Sequence, residues 1–218
     1  MNTSLLENSW RRCWQGLAAN GSGLTLMQHL LGAWREPHRY YHSEQHLLEC
    51  LQLFEQHSSL AQAPAELEMA LWFHDAIYDT QAHDNEVRSA DWAVEALTAA
   101  GVTPERVDRI KTHILATQHT VLPQMSDEQL LVDIDLAILG ADSQRYEQYE
   151  CQIRQEYYFV PEVLFTTKRR EILSSFLSRD VLYSTAAMRQ ALDKQARINL
   201  GRSLKNLPPT DKASGIEI

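Results

Sequence analysis

Met69 to Tyr78 reads Met-Ala-Leu-Trp-Phe-His-Asp-Ala-Ile-Tyr. A helical stretch that is apolar on all sides belongs in a core, yet this one carries His74 and Asp75. A buried carboxylate without a partner is costly. The apolar run contains no Lys or Arg. Compensation for Asp75 therefore has to come from backbone donors, from a cation elsewhere in the chain, or from a metal ion. Taken alone, the segment fits a helix-terminal Asp beside a core His equally well. A second stretch runs from Tyr40 to His46. His42 and His46 are four residues apart and can share one helix face, with His46 on the side of Cys50 and Leu53, next to the apolar stripe Leu47, Leu51 and Phe54. Such pairs are more often structural than functional. The third stretch, Leu130 to Gly140, again sets acids inside an apolar run, at Asp133 and Asp135. Two residues subtend about 200° of a helix, so only one of these acids faces a given site. Asp135 has Leu131 four residues before it and Ile138 and Leu139 after it, which makes it the preferred inward acid, with Asp133 the alternative.

Imidazoles and carboxylates from three separated segments are the donor types that bind divalent cations and move protons. Their order, His46, then His74-Asp75, then Asp135, resembles the signature of the HD-domain superfamily of metal-dependent phosphohydrolases, H…HD…D in an all-helical core. The longer pattern is similar to a bacterial branch described as predicted HD-superfamily phosphohydrolases. It is carried here by Tyr41-His42 and His46, Phe73-His74-Asp75 with Tyr78-Asp79, Asn85-Glu86 with Ser89-Ala90, Asp133 with Asp135-Leu136 and Leu139-Gly140, and Arg154 with Glu156-Tyr157. The resemblance covers about residues 30–185 and implies an HD-domain-like helical bundle whose metal ligands are His46, His74, Asp75 and Asp135. Two neutral imidazoles and two carboxylates form a mixed nitrogen and oxygen set of net charge −2. That set suits Mn²⁺, Fe²⁺, Co²⁺, Ni²⁺ or Mg²⁺; without thiolates it is a poor match for structural zinc. The implied activity is attack of metal-activated water on the phosphorus of a small phosphorylated molecule, a nucleotide among the candidates.

Relatives with a similar Tyr-His motif use its first His to protonate the leaving oxygen, which makes His42 the candidate general acid. Glu86 can orient water or support a ligand His, or be an ordinary acid in the first turn of a helix. His113 and His119 lie between His74-Asp75 and Asp135. They are six apart, about 240° around a helix, so a straight helix cannot aim both at one ion. One metal with these two as pocket lining is the expectation, and a second metal the alternative. Arg154 and the Lys168-Arg169-Arg170 run supply positive charge suited to phosphate, but such residues on helices more often form solvated ion pairs, for example Glu150 with Arg154. Two other functions stay open: a non-catalytic metal-bound module that senses a nucleotide or joins a protein, and a di-iron HD-type oxygenase, which would need His113 and His119 as ligands.

The elements that must position these groups read as helices throughout. Eight Gly and seven Pro in 218 residues are too few for a turn-rich β-sandwich, and the abundant Leu, Ala, Gln and Glu favour helix. Periodicity and stop signals predict helices over 5–19, 24–34, 43–57, from Pro64 to His74, 85–100, 103–118, 127–139, 143–158, 161–178 and 185–204. Ser43 and Thr103 are expected as N-caps. The fold class is all-α, a bundle of about eight to ten helices, with residues 1–207 as one HD-type domain and a polar tail from Pro208 expected to be disordered.

Hydrophobic residues at 44% and charged residues at 22% are ordinary for a globular protein. The formal net charge of −9 repels a phosphate backbone, so binding to long nucleic acid is not expected. A small anion is not excluded, because a metal and local Arg can reverse the sign of one pocket. No run approaches the roughly 18–20 apolar residues of a membrane helix, and the first residues lack a secretory core, which predicts a cytoplasmic protein without membrane contact. Cys13, Cys50 and Cys151 are scattered and form neither a disulfide framework nor a zinc-knuckle spacing. They are expected to be reduced packing residues. Oligomeric state is left open, a homodimer included.

Overall fold

The computed structural model describes residues 2–208, and the tail expected to be disordered lies outside them beyond Pro208. The described residues form ten α-helices and no strand, as the all-α expectation requires. The chain divides into two compact units, one ending at Leu136 and one beginning at Ala137.

The first unit contains α1 (Asn2–Gly16), α2 (Leu24–Trp34), α3 (Glu44–His57), α4 (Pro64–Phe73), α5 (Asn85–Ala99), α6 (Pro104–Ala116) and α7 (Ser126–Asp135). Its organising element is α4. Pro64 opens it, where a missing N–H costs nothing, and every residue from Glu66 to Phe73 is buried. An apolar helix without a polar face has to be surrounded, and α4 packs against α1, α3, α5, α6 and α7. Two acids in it are buried as well. Glu66 is held by the Arg109 guanidinium at 2.6 and 2.8 Å, and Glu68 receives Arg12, whose Nε lies 3.0 Å away. The N-terminal amides ahead of α4 are satisfied from a distance: Asp127, in the first turn of α7, accepts from Gln62 N and Ala63 N at 2.8 Å each. The helix stops at Phe73, with the His74 amide bonded to Ala70 O, so His74 and Asp75 leave its buried C-terminal end.

The second unit contains α8 (Ser143–Glu156), α9 (Glu162–Leu177) and α10 (Ala186–Asn206). Asp142 caps α8 by accepting from Gln144 N and Arg145 N. A Cβ on Gly140 would stand 2.8 Å from the Leu192 carbonyl oxygen, so only glycine permits this backbone approach to α10. Asn199, wholly buried on α10, donates to Leu139 O and Ala141 O.

Helix boundaries follow the expected ones to within a few residues, apart from α7, which ends at Asp135 and gives way to a 3₁₀ turn over Leu136–Gly140. The expected caps differ more. Ser43 and Thr103 have extended cap backbones but make no side-chain cap bond; the Ser43 hydroxyl donates to Tyr40 O instead. The expected Glu150–Arg154 pair is replaced by Glu150 with Arg169 and Arg154 with Glu162, because residues from the neighbouring helix α9 reach both side chains.

Candidate metal centre

Three segments of the first unit bring their donors together. His46 sits in the first turn of α3, His74 and Asp75 at the end of α4, and Asp135 at the end of α7. His46 Nε2 lies 3.1 Å from His74 Nε2 and 3.2 Å from Asp135 Oδ1. His74 Nε2 lies 3.2 Å from Asp75 Oδ2 and 3.6 Å from Asp135 Oδ1, and His46 Nε2 is 3.8 Å from Asp75 Oδ2. His46 and His74 are buried, at 2% and 1% exposure. Asp135 thus reaches both rings, whereas Asp133, two residues earlier, is itself buried at 1% exposure.

The ring of His74 is oriented by its Nδ1–H, which donates to Leu71 O at 2.9 Å. When the ring is neutral, its Nε2 therefore offers a lone pair to the cluster. Aromatic neighbours hold both imidazoles: Trp34 lies 5.4 Å from the His74 ring and 6.3 Å from that of His46, and Tyr41 lies 4.8 Å from His46. Trp34 is itself fixed by its Nε1–H on Trp72 O.

Electrostatics follow from this packing. Burial opposes charge on His74, but Asp75 and Asp135 outweigh it and hold the imidazole well above its ordinary pKa. Burial works against ionisation of Asp75 too, and His74 overcomes it and lowers that carboxyl. Asp135 is lowered against burial by bonds from His119, His46 and His74.

These donors fit a divalent cation. Atoms bonded to one ion at about 2.1 Å stand about 3.0 Å apart when adjacent on an octahedron and about 3.4 Å apart on a tetrahedron. The distances above are of that size. Two imidazole nitrogens aimed at each other across 3.1 Å also need a shared positive centre between or beside them, a proton or a metal. Beside them stands a donor of another type: the ligating atoms of His46, Cys50 and His74, all buried, lie within 4.8 Å of one another and form a group that can hold a metal ion.

His42 lies one turn before His46, with ring centroids 6.0 Å apart, and stacks on Tyr78 at 4.2 Å. It acts electrostatically on Asp75, which puts it at the rim of the cluster. Glu86 stands in the first turn of α5. Burial raises its pKa, and the fields of Asp75, His119 and Asp135 all reach it. His113, on α6, and His119 meet different neighbours. His119 lies past the end of α6 with a left-handed backbone, φ 54°, and its Nε2 meets Asp135 Oδ2 at 3.1 Å. His113 is buried, its ring nitrogens find no hydrogen-bond partner among the described residues, and its charged neighbours are Asp127, Glu128, Glu66 and Arg109. Arg154, in the second unit, braces the turn between α8 and α9 through Tyr157 O, Val160 O and Glu162.

One residue that spacing did not single out is central to the geometry. The Arg39 side chain is wholly buried. Its guanidinium donates to Asp75 O at 2.6 Å, Ala76 O at 2.9 Å and His42 O at 3.2 Å, and it lies against the Trp34 and Tyr78 rings. It thereby ties the backbone of His42 to that of Asp75. The Asn85 and Ser89 side chains clamp the same loop from α5: Asn85 exchanges bonds with the Asp79 backbone, and the Ser89 hydroxyl accepts from Ile77 N. Among the described residues no helix is long and apolar enough to cross a membrane. Compared with known proteins, the chain matches no family model, no curated protein and no solved structure.

Proposed function

We propose that this chain is a metal-dependent phosphohydrolase of the HD type that cleaves a phosphate ester of a small molecule, with its ion held by His46, His74, Asp75 and Asp135. The observation that carries the reading is the convergence of His46 Nε2, His74 Nε2 and Asp135 Oδ1 within 3.1–3.6 Å of one another. When bound, Mn²⁺, Fe²⁺, Co²⁺, Ni²⁺ or Mg²⁺ supplies Lewis acidity at a phosphoryl oxygen and lowers the pKa of water.

The chain's own residues do the rest. The Leu71 carbonyl keeps the His74 lone pair on the cluster. Asp75 and Asp135 give the donor set its negative charge, which favours a dication over a neutral occupant. His119, donating to Asp135 Oδ2, fixes that carboxylate so that its other oxygen stays on the imidazoles. In this reading His42, whose charge reaches Asp75, hands a proton to the leaving oxygen. In this reading Glu86, made more basic by burial, orients the attacking water and accepts its proton. A nucleotide is the substrate class we would screen first.

The test is metal content of protein purified without a metal-affinity tag, beside His74→Ala and Asp135→Ala, followed by a phosphatase screen over nucleotides and sugar phosphates. About one ion per chain, lost in both variants, with turnover of at least one ester, is the expected result. No ion after reconstitution with excess Mn²⁺ would overturn the reading. A full complement of metal without turnover would leave a metal-bound binding module.

A further inference from the structure

Cys50 stands one helical turn after His46 on α3, 2% exposed, with no part in the phosphohydrolase site proposed above. Its Sγ lies 3.7 Å from His46 Nδ1 and 3.8 Å from His46 Nε2. A sulfur equidistant from both nitrogens sits off the N–H axis of the ring, so it is not the directional partner that sets the His46 tautomer. Its distance has another meaning. A thiolate sulfur at about 2.3 Å and an imidazole nitrogen at about 2.05 Å from one tetrahedral ion stand about 3.6 Å apart. The separation from His46 Nε2 is close to that edge, but the equal distance to Nδ1 means that the His46 ring has to turn about its Cβ–Cγ bond before Nε2 and the sulfur can share an ion; His74 closes the group within 4.8 Å.

His46 and His74 therefore belong to two donor sets. One adds the carboxylates of Asp75 and Asp135 and suits harder ions. The other adds the Cys50 sulfur and suits thiophilic ones. We propose that the centre has a second coordination mode in which a thiophilic divalent ion, Zn²⁺ or Cd²⁺, is held by His46, His74 and the Cys50 thiolate. This inference rests on the reading of His46 and His74 as ligands. The sulfur–metal bond forms as the thiol proton leaves to solvent, with no change of oxidation state. Both modes need the same two imidazoles, so they exclude each other. A thiophilic ion is then an inhibitor that occupies the centre without serving the carboxylate mode.

The experiment titrates the metal-free full chain with Cd²⁺ and follows sulfur-to-metal charge-transfer absorption in the ultraviolet. The band should saturate near one ion per chain in the wild type and in Cys151→Ala, whose thiol is exposed. It should be absent in both Cys50→Ala and Cys50→Ser. Competition titrations should show Cd²⁺ affinity falling by about tenfold or more in Cys50→Ala while Mn²⁺ affinity stays within about twofold. A band that survives both Cys50 substitutions overturns the inference, as does stoichiometric Cd²⁺ binding to the wild type without one. Mn²⁺ binding that depends on His46 and His74, with no sulfur band for Cd²⁺, sinks the thiolate mode and leaves the phosphohydrolase centre intact. Binding of neither ion through His46 or His74 defeats both.

Discussion

Replacing Arg39 with Ala tests whether one buried guanidinium holds the His42 and Asp75 segments in place. The side chain donates to three main-chain carbonyls and pairs with Glu36 at 3.0 Å. A hydrogen bond from a charged donor contributes about 1.5–3 kcal/mol, so the three carbonyl bonds sum to about 5–9 kcal/mol in gross terms. Removing the charge also removes the cost of having buried it, and water entering the space will satisfy part of what is lost. The net loss should be about 3–5 kcal/mol, the range for breaking a buried charged partnership. That is a large share of the roughly 5–15 kcal/mol that keeps a domain folded. Urea denaturation of the metal-free protein, followed by circular dichroism, reads this directly as a shift in midpoint at unchanged slope. Arg39→Lys keeps the charge but cannot span three carbonyls with one ammonium, and it should recover only a minor part. Both variants should weaken Mn²⁺ binding by about 10–100-fold, the usual effect of losing a support one layer behind the ligands. An Arg39→Ala protein within about 1 kcal/mol of wild type, with unaltered Mn²⁺ affinity, would refute the positioning role.

Asp127→Ala removes the acceptor for Gln62 N and Ala63 N and should cost about 1–2 kcal/mol in the same denaturation assay, with metal content unchanged; loss of metal would mean that Asp127 does more than cap α4. His42→Gln should lower kcat by about 10²–10⁴ while the protein retains its ion, and undiminished turnover would remove His42 as the acid. Burial depresses the His113 imidazole below its ordinary 6.5, so the unfolded chain takes up a proton that the folded one refuses. This contribution to stability is present above about pH 6.5 and is lost as pH falls toward the folded pKa, with a slope of up to about 1.4 kcal/mol per pH unit. His113→Leu should flatten the stability profile below about pH 6.5 relative to wild type, and superimposable profiles would show that the imidazole is not excluded from protonation. His119→Gly relieves a left-handed backbone of about 1 kcal/mol while deleting the imidazole on Asp135. Stability should therefore hold while Mn²⁺ affinity falls; unchanged affinity would show that Asp135 needs no support from His119.

The core and the site were legible to different depths. An apolar run without a polar face identified α4 as central; the apolar neighbours of Asp135 pointed to the acid that meets His46 and His74, although Asp133 is the more buried of the two. What remained hidden was set by long-range partners. Arg39 carries no local sign of burial, because the carbonyls that make burial tolerable belong to Asp75 and Ala76. Asp127 resembles an acid of its own helix's first turn, yet its acceptors serve α4. Ser43 and Thr103 have the composition and backbone of caps, but cap bonding depends on a side-chain rotamer that composition does not determine. Cys50 was placed correctly on the side of His46; its distance from the second imidazole follows only from how α3 meets the end of α4.

The enclosure of α4 has a dynamic counterpart. Amide hydrogens exchange with solvent only when their bonds open, and a helix buried on every side opens only when the whole unit does. The amides from Glu68 to His74 should therefore be the slowest to exchange, with protection equal to the global unfolding free energy. His74 is anchored to the most rigid element of the fold through its own amide on Ala70 O. Motion that admits or releases a ligand then has to come from the other side of the centre. There His119 lies outside any helix, and the following loop exposes Val121, Leu122 and Met125. The centre thus has one wall enclosed by the core and one that borders an exposed loop.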